Sequence, residues 1–128
     1  NVVQASYVDW EYPGAAFDYV LSVYTMHHFL EPTKLGIYRG ILRSLVPGGA
    51  YIEADYMVDG ETMEKCRQGY QEAIAKMGEG RDGDYHLDLP FTPEVQRGLL
   101  KEAGFASVET VREWIRPDWS EAILVAWK

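Results

Sequence analysis

The stretch Phe17-Asp18-Tyr19-Val20-Leu21-Ser22-Val23-Tyr24-Thr25-Met26-His27-His28-Phe29 decides how this chain folds. Its first seven residues are apolar on both faces apart from Asp18 and Ser22, the pattern of a central parallel strand. A polar, aromatic turn bearing His27 and His28 follows at once. In an open α/β sheet the carboxyl ends of the strands face the ligand crevice, so this turn is placed to carry chemistry. Working outward, residues 33–44 hold Leu35, Tyr38, Ile41 and Leu42, with Leu45 beyond, at a spacing of about 3.6, which predicts a helix. Pro47-Gly48-Gly49 ends that helix and starts a strand over 50–56. Strand, helix and strand within about 40 residues make a βαβ crossover. Gly36 and Gly40 sit inside the helix and each cost about 1 kcal/mol relative to Ala. Close packing of the helix on the sheet is the expected compensation.

The flanks extend the pattern. Residues 2–8 predict a strand that breaks at Asp9 to Gly14, where Tyr12-Pro13-Gly14 punctuates a loop. Residues 61–77 predict a second helix with Met63, Cys66, Tyr70, Ala73, Ile74 and Met77 on one side. Gly78 to Pro90 is polar and rich in glycine and aspartate, a loop composition. Thr92-Pro93-Glu94 starts a third helix with an N-cap, a proline in the first turn and an acid beside it. Val95, Leu99, Leu100 and Ala103 form its buried face and Gly104 its stop. Two strands near 107–114 and 121–127 then form a hairpin, irregular at Pro117-Asp118.

Composition bounds the function. A chain of 128 residues with 47% apolar and 13% aromatic residues is a single globular domain. A formal charge of −8, with no cluster of Lys and Arg, excludes a nucleic-acid-binding face. One cysteine, Cys66, excludes an internal disulfide and suits a reducing cytoplasm. No apolar run reaches the length of a membrane span, and no secretion signal opens the chain, so a cytoplasmic location is expected.

The Phe-Asp-Tyr-Val-Leu-Ser strand running into His-His-Phe resembles class I S-adenosylmethionine-dependent methyltransferases. So do Leu45-Val46-Pro47-Gly48-Gly49 before a strand, Phe91-Thr92-Pro93-Glu94 before Leu99-Leu100-Lys101-Glu102-Ala103-Gly104-Phe105, and the closing Ile123 to Lys128. Each piece alone is weak; their order and spacing, over nearly the whole chain, carry the resemblance. It implies a Rossmann-like doubly wound α/β sheet whose last strand is antiparallel to the rest. The family's glycine-rich cofactor turn, and the strand after it that ends in a ribose-binding acid, find no counterpart here. The resemblance therefore covers the family's C-terminal two-thirds, a single domain expected to be incomplete at its N-terminus.

The resemblance also implies roles. Asp9 matches the carboxylate that accepts from the adenine amino group, with Trp10 offering its backbone N–H and its indole to the ring. Ser22, Val23 and Tyr24 match the stretch whose carbonyls face the cofactor's ammonium group. His28, and after it His27, are the candidates for a general base near the reactive methyl, since a neutral imidazole titrates near pH ~6.5. A histidine pair that merely braces the turn is the alternative. Methyl transfer needs alignment and exclusion of water more than an acid or base, so no catalytic dyad is required. Tyr85, His86 and Leu87 are placed as a lid over the substrate. Asp82, Asp84, His86 and Asp88 alternate in the same loop, where extended backbone keeps their side chains apart, so a solvated acidic loop and no metal is expected. Gly48 and Gly49 lie at the edge opposite the crevice and read as a structural turn.

S-adenosylmethionine and a small-molecule methyl acceptor are the implied ligands, with an acidic surface that favours a small or cationic acceptor over DNA or RNA. A methyltransferase-like module that binds a partner without catalysis is the second reading. A nucleotide- or flavin-binding domain of another doubly wound fold is a third, disfavoured by the closing hairpin. With strand neighbours missing, an exposed edge is expected to pair as a homodimer or by strand exchange.

Overall fold

The computed structural model describes residues 2–77, 87–115 and 120–128. Four strands, β1 (Phe17–Val23), β2 (Leu45–Met57), β3 (Ser107–Ile115) and β4 (Ser120–Trp127), form one sheet in the order β1-β2-β4-β3. β1 and β2 are parallel and are joined through α1 (Glu31–Ser44). β4 is antiparallel to both of its neighbours, so β3 runs with β1 and β2 and only the last strand is reversed. α2 (Gly60–Met77) and α3 (Pro93–Ala103) complete the regular structure.

Local chemistry explains where the helices start and stop. The Thr92 hydroxyl accepts the Val95 N–H at 3.2 Å, and Gly104 at φ 111° turns its own N–H back to the carbonyls of Leu100 and Lys101. Ahead of α2, the Asp59 carboxylate accepts the Thr62 N–H at 2.7 Å, and that bond holds its carboxyl below the usual range. α3 buries Leu99, Leu100 and Ala103 as its periodicity predicts, and adds Gln96. In α1 the buried set is Lys34, Ile37, Tyr38 and Ile41, while Leu35 and Leu42 lie at the margin of the core.

A polar network runs through this core. Glu53, fully buried, accepts hydrogen bonds from the hydroxyls of Tyr38 and Tyr51, each at 2.8 Å. The Gln96 amide donates to Glu53 and to Tyr38, and its carbonyl accepts from Lys34 Nζ at 3.1 Å. Lys34 lies over the Phe91 ring at 3.8 Å, and the hydroxyls of Ser22 and Tyr51 meet at 2.6 Å. Burial lifts the Glu53 carboxyl above its ordinary range against the opposing pull of Lys34, and lifts the hydroxyls of Tyr38 and Tyr51 as well.

Several expectations are corrected. Residues 2–8 are not a strand. The N–H groups of Asp9 and Trp10 turn back onto the Ser6 carbonyl, at 3.3 and 2.9 Å, and among the described residues no strand lies beside this segment to pair it. Among the described residues β1 is an edge strand and not a central one, paired with β2 alone. One face of the strand is also uncovered, leaving Tyr19 72%, Leu21 64% and Val23 48% exposed. Gly36 and Gly40 do not bring α1 onto the sheet. A Cβ on Gly40 would strike the Tyr12 ring at 2.5 Å, so this glycine admits the N-terminal segment, and one on Gly36 would meet nothing. The strand expected over 50–56 reaches back to Leu45 and takes in Gly48 and Gly49. Gly49 is required there because a Cβ would lie 2.8 Å from the Asp18 carbonyl. Of the face expected for α2 only Tyr70 is buried, and Met77 is exposed.

Candidate functional site

The site grows from the turn after β1. Tyr24 leaves the strand with φ 49°, a left-handed conformation that costs a non-glycine residue about 1 kcal/mol or more and concentrates at functional sites. Two bonds hold it: the Tyr24 N–H donates to the Ala54 carbonyl at 2.9 Å, and the Thr25 hydroxyl donates to the Val23 carbonyl at 2.9 Å. A single 3₁₀ turn, Met26–His28, then carries both histidines.

Asp55, on the neighbouring strand β2, organises that turn. Its buried carboxylate accepts the His27 N–H at 3.0 Å, the Tyr56 N–H at 2.9 Å and His27 Nδ1 at 2.5 Å. With Nδ1 as the donor, His27 Nε2 is directed away from β2 and lies 3.5 Å from Asp88 Oδ1. His28 Nδ1 lies 3.4 Å from the same oxygen and 3.2 Å from the Leu87 carbonyl. The Leu89 N–H returns to the His27 carbonyl at 2.5 Å, clamping the segment before α3 onto the turn. Aromatic rings wall the cluster. Tyr24 stacks on Tyr56 at 4.8 Å, and Tyr56 meets His27 edge-on at 4.9 Å. The Tyr24 hydroxyl donates to the Glu121 carboxylate, and that bond, ahead of burial, pushes the phenol up to about 12.

The expected site residues fall into three groups. His27 and His28 come together, His27 buried and His28 with a side chain 17% exposed. Ser22 turns its hydroxyl into the core network, while Val23 and Tyr24 are exposed at the strand end. Asp9 is exposed, and Trp10 rests 4.8 Å from the Tyr12 ring in a groove of about 420 Å³ along α1, lined also by Tyr7, Thr33 and Gly36. The Tyr7 and Phe29 rings, 6.4 Å apart, join that groove to the histidine turn. Tyr85 and His86, with Asp82 and Asp84, lie outside the described residues.

Of the four alternating residues only Asp88 is described, and it converges on His27 and His28, which the sequence reading did not anticipate. Asp55 and Tyr56 lie in the stretch Glu53 to Asp59 that the strand rule puts at the crevice, but neither was singled out as a site residue. The available signal was Glu53-Ala54-Asp55, alternate acids inside an otherwise apolar strand, which demand buried partners. A second groove, about 390 Å³, opens beyond the end of β2 between Asp59, Glu94 and Glu113.

The Trp10 indole lines the groove on α1 together with Arg39 and Arg43, while the exposed Asp9 is not among its lining residues. At the end of β1 the Val23 carbonyl keeps a second lone pair beside its bond to Thr25.

No family profile matches the chain. It is 28% identical over 127 residues to carboxy-S-adenosyl-L-methionine synthase of Wolinella succinogenes, covering 90% of this chain and 51% of that protein. It is 29% identical over 120 residues to 27-O-demethylrifamycin SV methyltransferase of Amycolatopsis mediterranei, covering 92% of this chain and 40% of that protein. The chain thus spans about half the length, or less, of the curated relatives it matches. Among solved structures it superposes on Burkholderia thailandensis 1,6-didemethyltoxoflavin-N1-methyltransferase with a TM-score of 0.68 at 21% identity, covering 98% of this chain and 49% of that one. That structure holds 1,6-didemethyltoxoflavin and S-adenosylhomocysteine. The fold is that of the class I S-adenosylmethionine-dependent methyltransferases, and the described helices supply part of its doubly wound plan. Among the described residues no helix is long and apolar enough to cross a membrane.

Proposed function

We propose that this chain carries the acceptor side, and part of the cofactor side, of a methyltransferase acting on a small molecule. The observation that carries the reading is the Asp55–His27 pair and adjacent His28 at the carboxyl end of β1, in a fold shared with enzymes of that activity. S-adenosylmethionine, when bound, supplies a sulfonium methyl for in-line displacement. Asp9 accepts from its adenine amino group, Trp10 gives the ring a wall, and the carbonyls of Ser22, Val23 and Tyr24 face its ammonium group. His28, the more accessible imidazole, takes the acceptor's proton at Nε2. His27, held by Asp55, is a positioning residue that fixes the turn on which His28 stands. The net charge of −8 and the carboxylates of the second groove support a neutral or cationic acceptor.

The test is calorimetric titration with S-adenosylhomocysteine. Micromolar binding is expected, weakened at least tenfold by Asp9→Ala. Lack of binding to both this chain and the complete gene product would overturn the cofactor assignment.

The open edge of β1 supports a second proposal, self-association by edge pairing. Light scattering is expected to show the mass doubling at high concentration, and Leu21→Lys to abolish the doubling. A monomer at every concentration would refute it.

A further inference from the structure

The histidine turn holds more than a base requires. His27, His28 and Asp88 each offer a metal-ligand atom, and these atoms all lie within 4.8 Å of one another. Two of the three separations, 3.5 and 3.4 Å, involve the aspartate oxygen. Ligands about 2.0–2.1 Å from a tetrahedral zinc-class ion are separated by roughly 3.3 Å along each edge. The two separations that involve Asp88 already stand near that spacing, and the third is within 4.8 Å. We infer that His27, His28 and Asp88 form a divalent-metal site of the zinc class, a reading that rests on these side chains and not on methyltransferase activity.

Three features of the molecule favour the ion. The first is donor type, since two imidazoles and a carboxylate make a set that suits zinc or cobalt(II) and is poor for calcium or magnesium. The second is the backing of His27. Its Nδ1 binds the Asp55 carboxylate at 2.5 Å, the carboxylate–histidine–metal arrangement that fixes a ligand's tautomer and turns its other nitrogen to the ion. The third is pre-organisation. Asp55 holds the turn from one side, and the Leu89 N–H bond to the His27 carbonyl holds the segment bearing Asp88 from the other. The ligands therefore come from two elements whose relative position does not depend on the metal.

Binding replaces one interaction. His28 Nδ1 faces the Leu87 carbonyl at 3.2 Å, and as a ligand it gives up its proton to Nε2 as the tautomer changes. The Leu87 carbonyl sits at the same edge spacing from that nitrogen and is the nearest oxygen for a fourth position. A remaining position is left for water or an acceptor heteroatom. With Nε2 protonated, His28 cannot serve as base, so metal occupancy and the proton-accepting role of His28 exclude each other.

Cobalt(II) titration at neutral pH, followed by visible absorption and by calorimetry, tests the site. One ion per chain is expected, bound at micromolar or tighter concentration with the intense visible bands of a tetrahedral centre and displaced by zinc. Asp88→Asn, at a side chain 64% exposed, is expected to fold normally and to weaken binding at least tenfold. His28→Gln should do the same, while Cys66→Ser, which removes the lone thiol, should leave both affinity and spectrum unchanged. Absence of a one-to-one complex, or binding lost with Cys66→Ser and kept in Asp88→Asn, would overturn the inference.

Discussion

Glu53→Ala is expected to cost about 3–5 kcal/mol of folding stability, the range for removing one partner of a buried charged network. The carboxylate is 0% exposed and accepts from Tyr38, Tyr51 and Gln96, which in turn holds Lys34. Truncation leaves those donors without an acceptor and Gln96, which holds Lys34, without its partner. Urea denaturation measures the loss, and a change under about 1 kcal/mol would show that the network is replaceable.

The same residue sets a pH dependence. Its folded pKa is raised, so the native protein holds a proton that the unfolded chain releases above its ordinary value of about 4.3. That contribution is complete below the unfolded pKa and is lost as pH rises through the folded one. Asp59 and Glu94, whose pKa values are lowered, act in the opposite sense and only below the usual carboxylate range. The urea midpoint of the wild type should therefore decline as pH rises from the ordinary carboxylate range through the raised pKa of Glu53. Glu53→Gln should flatten that decline; an unchanged slope would assign it elsewhere.

Asp55→Asn is expected to slow methyl transfer by about a hundredfold or more, the scale of a misaligned proton-transfer group. The amide keeps the shape of the carboxylate and can still accept the His27 N–H, so the stability cost is held to roughly 1–3 kcal/mol. It cannot supply the charge that holds the His27 imidazole through Nδ1. Nitrogen NMR of the ring reports the tautomer directly and separates positioning from general destabilisation. Transfer within twofold of wild type, with the His27 tautomer unchanged, would remove Asp55 from the machinery.

The parts of the fold legible in the sequence are those governed by neighbours along the chain. Thr92 and Gly104 delimit α3 because capping is a contact over three or four residues. The alternation of β4 and the turn after β1 were readable for the same reason, and so was the pairing of His27 with His28. In α1 the apolar period placed Tyr38 and Ile41 in the core, but Leu35 lies at its margin while Lys34 is buried, its ammonium donating to Gln96 of α3.

What the sequence by itself determined is the run of helices and strands from β1 onward, their order, and the place of the histidine turn at a strand's carboxyl end. Tertiary structure alone decided that residues 2–8 form no strand, that β1 is an edge, and that Gly40 admits Tyr12. It alone brought Asp55 to His27, 28 positions away in the chain, and Asp88 to both histidines. Capping and periodicity act within a turn or two, whereas strand pairing and the convergence of charged groups depend on which surfaces meet once the chain has folded.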